Sequence, residues 1–181
     1  MKNSTLIKIT LGAAVIAIPF LINYCKTVKV PNDIMVVDNF DIKSYAGKWY
    51  EIARFDFKHE KDMDSVTAEY SLNDDGTIKV LNKGFNTVQN EWKESEGKAE
   101  FLSDKSKGAL KVSFFGPFYS GYNVVAMEPN YKNALVMGEN KDYIWFLSRE
   151  KEMPVEVKNK FLKIARDAGY DLDRLVWTKQ K

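Results

Sequence analysis

Gly47-Lys48-Trp49-Tyr50-Glu51-Ile52-Ala53-Arg54 sets an indole two residues after a glycine, and Trp145-Phe146-Leu147-Ser148-Arg149 ends a distant apolar stretch on a guanidinium. A guanidinium laid over an indole face is held by the ring quadrupole, so the two groups can form a plug if their strands are neighbours. Glu51 shares the parity of Trp49. A regular strand therefore turns it inward, where it needs a partner such as Arg54 or a lysine. Reactive chemistry is sparse by comparison. The chain has one cysteine, Cys25, and one histidine, His59. No disulfide can form within the chain and no Cys/His metal set can be assembled. A Ser/His/Asp triad or a haem ligand would have to rest on His59, which falls in a polar loop. The reading is no catalytic residue, no metal, no cofactor and no enzyme.

The elements that would position the plug are strands. The first is expected from about Lys48 to Phe57, led in by residues 36–45 with Phe40 and Tyr45 as apolar pins. Lys58 to Asp64 reads as an exposed loop. Val66, Ala68 and Tyr70 alternate with polar residues, as on a half-buried strand. Asn73-Asp74-Asp75-Gly76 is a tight-turn signal, and Thr77 to Asn82 returns with Ile78 and Val80 on one face. Trp92 to Phe101, a strand through Leu110, Val112 and Phe114, then Tyr119 to Met127, Ala134 to Gly138 and Tyr143 to Ser148 complete eight. Short, evenly spaced strands predict an all-β, up-and-down antiparallel β-barrel, which removes sheet edges by pairing first strand with last. Residues 154–168 are different. Val157, Phe161, Ile164, Ala165 and Ala168 recur at helical spacing, with Pro154 at the first turn and Gly169 at the end. One C-terminal α-helix is expected on the barrel wall, followed by a short strand, Leu175 to Thr178.

Of 181 residues, 45% are hydrophobic and 13% aromatic, enough for one core rich in strands. Net charge is +2, and without Lys2 and Lys8 near the start the basic and acidic residues balance at 25 each. No basic stripe points to nucleic acid. Leu6 to Tyr24 is apolar apart from Lys8, about long enough to cross a bilayer as a helix. Residues 1–25 read as a signal or anchor segment, 26–38 as a tether, and 39–181 as the barrel domain. Cys25 is a lipidation site, an idle thiol, or simply the residue after an uncleaved anchor. Ile22 suits lipidation while Asn23 and Tyr24 do not. Each reading puts the barrel in the cell envelope, at the outer membrane or on a membrane facing the periplasm.

The two opening fragments resemble the lipocalins, most closely the bacterial outer-membrane branch, with the apolipoprotein D type as cousins. Asn39-Phe40-Asp41, Val66-Thr67-Ala68-Glu69-Tyr70-Ser71, Asn82-Lys83-Gly84-Phe85-Asn86 and residues 109–119, with Phe114-Phe115-Gly116-Pro117-Phe118-Tyr119, extend the likeness from about Asn39 to Trp177. One departure is Ala126-Met127-Glu128-Pro129-Asn130-Tyr131, where the family has an aspartate before the tyrosine. The resemblance implies a cup whose floor is Gly47, Trp49 and Arg149. Counting back from an inward Arg149, Leu147 and Trp145 face the lumen. Alternation adds Val66, Ala68, Tyr70, Ile78, Val80, Val112 and Phe114, with Tyr119 and Tyr122 as polar contacts for a head group. Eight strands leave room for packed side chains or for one small ligand. Only the resemblance favours a pocket for a fatty acid or lysophospholipid, used in lipid transport, storage or membrane maintenance. A lipocalin-fold enzyme acting on a lipid and a filled structural barrel are the alternatives. The oligomeric state is not legible.

Overall fold

The computed structural model describes residues 27–58 and 60–181. A one-turn helix α1 (Ile42–Tyr45) precedes β1 (Gly47–Phe55), β2 (Met63–Leu72), β3 (Ile78–Asn86), β4 (Glu91–Phe101), β5 (Ala109–Phe115), β6 (Phe118–Met127), β7 (Asn133–Met137) and β8 (Ile144–Ser148). Helix α2 (Val155–Asp167), a 3-10 turn (Leu172–Arg174) and β9 (Leu175–Trp177) follow. All neighbouring strands run antiparallel in sequence order, and β1 bonds to β2 on one side and β8 on the other. The eight-stranded barrel is therefore closed, with β9 as one extra strand.

Closure is uneven. β1 pairs with β2 only from Gly47 to Tyr50, while its far end, Ala53 to Phe55, pairs with β9. Residues 178–181 fill the seam between. Thr178 N–H donates to Ile52 O (3.0 Å), Ser65 N–H to Lys179 O (2.8 Å), and the Gln180 amide to Glu51 O (2.7 Å) and Val66 O (3.0 Å). The carbonyls of Ile52, Glu51 and Val66 and the Ser65 N–H, which β1 and β2 no longer pair with each other, are thus satisfied by this tail.

Local chemistry explains most boundaries. The Asn73–Gly76 turn is closed by Gly76 N–H to Asn73 O (3.0 Å), with Gly76 at φ +81°, a conformation glycine adopts without strain. β2 and β3 extend further than alternation suggested, because β3 and β4 form a long polar ladder. Lys79–Glu96 and Lys83–Glu94, each 2.8 Å apart across the strands, hold its exposed face. Helix α1 lacks the length for apolar periodicity. Its signal is Asp41, whose carboxylate caps Lys43 N–H and Ser44 N–H at 3.1 Å. The expected tether ends early, since Val37 already bonds both Val124 and Gly108 across 2.9 Å. Lys26, the leader and Cys25 lie outside the described residues, as does His59.

The core has two parts. Phe40, Tyr45, Trp49, Leu110, Val124 and Val136 fill the closed end of the lumen. Outside, Phe161 and Ala165 of α2 pack on the wall through Leu135, Met137, Ile144 and Phe146. The Phe146 and Phe161 rings meet edge to face, with centres 6.0 Å apart.

Candidate functional site: a cavity above an arginine-tryptophan floor

The floor joins both ends of the barrel sheet. Trp49 is fully buried, and the Arg149 guanidinium lies 3.9 Å from the centre of its ring. Five carbonyls accept from Arg149: Lys48 at 2.8 Å, Ser44 at 3.0 Å, Tyr45 and Ala46 at 2.9 Å, and Tyr131 at 3.3 Å. The indole N–H donates to Tyr45 O at 2.8 Å. Gly47 sits at φ +92°, and a Cβ there would stand 3.4 Å from the Arg149 Nη1. The chain thus turns from α1 into β1 in a conformation open to glycine, directly beneath the guanidinium.

Above this floor lies a cavity of about 470 Å³, within the range of small-molecule sites. Val66, Ala68 and Tyr70 of β2 line it, as do Ile78 and Val80 of β3. Val112 and Phe114 contribute from β5, Tyr122 from β6, and Trp145 and Leu147 from β8. Tyr119 is the exception among the expected lining residues. Its hydroxyl reaches Glu100 at 3.1 Å and Lys111 covers its ring at 4.5 Å, both on the barrel's outer surface. Tyr119 and Tyr122 are three apart on one strand, so they cannot share a face. Lys98 and Lys111, hydrogen-bonded to Glu100, hold that carboxyl down at about 2.

Three tyrosines form the bottom of the cavity. The Tyr122 hydroxyl meets those of Tyr45 at 2.5 Å and Tyr70 at 2.8 Å. Burial pushes all three phenols above their usual range, so they stay neutral. The open end is formed by the β1–β2, β3–β4, β5–β6 and β7–β8 connections. Val88, Trp92, Phe115 and Phe118 are exposed around it.

One wall is polar, and most of it was not foreseen. Glu51 points inward and is buried, with its Oε1 2.7 Å from the Arg54 Nη1 and 2.6 Å from the Thr178 hydroxyl. Arg54 reaches the same side because the β1–β8 register shifts between Glu51 and Ala53, pairing Glu51 with Leu147 and Arg54 with Trp145. Such a bulge re-aims a side chain that strict alternation would turn out. Arg54 also donates to Thr178 at 3.1 Å, to Asp56 at 3.3 Å and to the Glu60 carbonyl. The loop expected to be exposed instead turns Glu60 into the cavity. Its Oε2 accepts from the Trp145 indole at 3.2 Å and lies 3.7 Å from the Arg54 Nε. Burial, reinforced by neighbouring Glu51, pushes the Glu60 carboxyl up to about 8, and burial raises Glu51 as well. Beside them Phe57, Tyr143 and Trp145 form a ring cluster. Sequence offered one hint of this wall, the demand of an inward Glu51 for a cation.

A closed, antiparallel eight-stranded cup with an arginine-capped tryptophan floor and a largely apolar hollow defines a β-barrel of the lipocalin type. Residues 40–180 match the model of the lipocalin-like domain, and the chain belongs to the lipocalin family. It is 50% identical to the outer membrane lipoprotein Blc of Citrobacter freundii, over 92% of this chain and 94% of that one. It is 32% identical to apolipoprotein D of Mus musculus, over 80% of this chain and 79% of that one. Insecticyanin from the tobacco hornworm shares the fold, with a TM-score of 0.66 at 22% identity over 83% of this chain and 86% of that one. Lipocalins generally act as carriers of small hydrophobic ligands rather than as enzymes. Likeness to outer membrane lipoproteins assigns the chain to the cell envelope, at the outer membrane.

Proposed function

We propose that this chain carries a single-chain lipid, a fatty acid or a lysophospholipid, for lipid transport, storage or membrane maintenance. The observation that carries the reading is the 470 Å³ cavity, sealed below by Trp49 and Arg149 and walled by Val66, Ile78, Val80, Val112 and Leu147. A filled structural barrel would leave no such volume. Each methylene moved from water into it contributes about 0.8 kcal/mol, so roughly ten supply about 8 kcal/mol before association costs. That supports affinities near micromolar with loose selectivity for tail length. The tail points toward the Tyr45–Tyr70–Tyr122 cluster and the head stays near the mouth. Membrane attachment comes from residues 1–25 or from an acyl group on Cys25, and the mass of the mature protein distinguishes the two.

Trp145 lies in the cavity wall, so a bound tail changes its emission. Titration with a long-chain fatty acid and a lysophospholipid should shift that emission, and mass spectrometry of the purified protein should find lipid. An unmoved spectrum together with lipid-free protein would reject the carrier reading.

A further inference from the structure

Resting on the carrier reading above, we propose that the cavity selects single-chain lipids whose head bears an ammonium group. The receiving site is Phe57, Tyr143 and Trp145, with the Glu60 carboxyl group beside them.

The rings form a three-sided cluster. Tyr143 and Trp145 lie nearly parallel, 6.1 Å apart at 15°. Phe57 stands edge-on to both, 5.7 Å from Tyr143 and 6.0 Å from Trp145. All three line the cavity, as do Glu51 and Glu60. Aromatic faces attract a desolvated cation, and an ammonium held beside Glu60 favours the ionised form of that carboxyl, which then adds Coulomb attraction in a medium of low dielectric. The Trp145 N–H holds one Glu60 oxygen and so fixes the carboxylate against the ring cluster.

The same wall offers a carboxylate head less than it offers an ammonium. Its guanidinium, Arg54, is 1% exposed and already engaged with Glu51, Asp56, Thr178 and main-chain carbonyls. Its Nε alone lacks a hydrogen-bond partner, and the Glu60 Oε2 stands 3.7 Å from it, so an anionic head would have to displace Glu60 to reach it. Two other cations on the lining are paired with acids: Lys83 is bonded to Glu94 at 2.8 Å and lies over the Trp92 ring at 5.3 Å, and Lys93 is 3.5 Å from Glu91. The polar wall is therefore built for a positive end, and a phosphate in the head would sit outside it.

The test compares four amphiphiles of one tail length on the immobilised full-length chain, washed free of detergent. Lysophosphatidylcholine carries phosphate and ammonium, an alkyltrimethylammonium carries ammonium alone, lysophosphatidylglycerol carries phosphate alone, and a monoacylglycerol carries neither. The two ammonium compounds should bind about tenfold more tightly than the other two. Glu60→Gln should remove most of that preference, and an unchanged far-ultraviolet circular dichroism spectrum shows that the variant is folded. Phe57→Leu should lower ammonium affinity in the same selective way. Equal affinity for all four, a preference that follows phosphate, or a preference that survives Glu60→Gln overturns the assignment but leaves the carrier intact. Failure of every amphiphile to bind rejects both.

Discussion

Arg149 and Arg54 are both drawn into the barrel, and they are satisfied in opposite ways. Arg149 is held by an indole face and a fan of main-chain carbonyls. Arg54 is held by acids, with Glu51, Asp56 and Glu60 around it. The first arrangement orders backbone without burying a counter-charge, so it closes the cup as a structural plug. The second gathers two buried acids around one base on one wall, so part of that wall holds a proton that a bound group can displace. A lone guanidinium can seal one end of a barrel, whereas a set of unequal ionisable groups makes the other end sensitive to pH.

The sharpest way to break the contrast is Arg54→Ala. It removes the guanidinium that holds Glu51, Asp56, Glu60 and Thr178 together, and urea unfolding should show a loss of about 3–5 kcal/mol. Arg149→Ala should cost less, about 2 kcal/mol, because the carbonyls it leaves are neutral and partly reachable by water. Equal losses for the two would erase the distinction. pH offers a gentler probe. The folded-state value of Glu60 near 8 exceeds that of an ordinary carboxyl, so the folded form favours the proton. Its contribution to stability is complete below about pH 4.5 and is lost as pH rises through about 8. The groups facing it are Glu51, Arg54 and the more distant Tyr70, and Glu51 is shifted in the same direction. The melting temperature should therefore fall between about pH 5 and about pH 9, and Glu60→Gln should flatten that fall. Arg149 takes no part, so Arg149→Ala should keep the slope. The smallest effect belongs to Tyr119→Phe on the outer face. Stability should change by less than about 0.5 kcal/mol and lipid affinity not at all, as calorimetry can check.

The same contrast explains what could be read in the sequence. Trp49 and Arg149 sit at strand ends fixed by Gly47 and by the run from Trp145, where parity and chain order suffice. Val66, Ala68, Tyr70, Ile78 and Val80 were legible for that reason. Tyr119 broke the rule that legibility depends on, being of opposite parity to Tyr122. The polar wall depends on a one-residue bulge after Glu51 and on a loop that folds inward, and neither leaves a periodic trace. Glu60, in a run of charges, has the composition of a solvated turn. Its burial follows from Arg54 and Trp145, which come together only after the barrel closes. The acid at Glu51 was the one visible symptom, and Arg54 was among the partners it called for.

The parting of β1 from β2 beyond Tyr50 gives the container walls of unequal stiffness. Elsewhere strands meet their neighbours through backbone ladders, some broken by a bulge, but here the join beyond Tyr50 is a handful of stitches from residues 178–181. A guest too broad for the hollow would part the fabric along that line first, next to Glu51 and Arg54. The molecule can thus yield on one side while its base stays rigid, stretching like a purse with a single gusset.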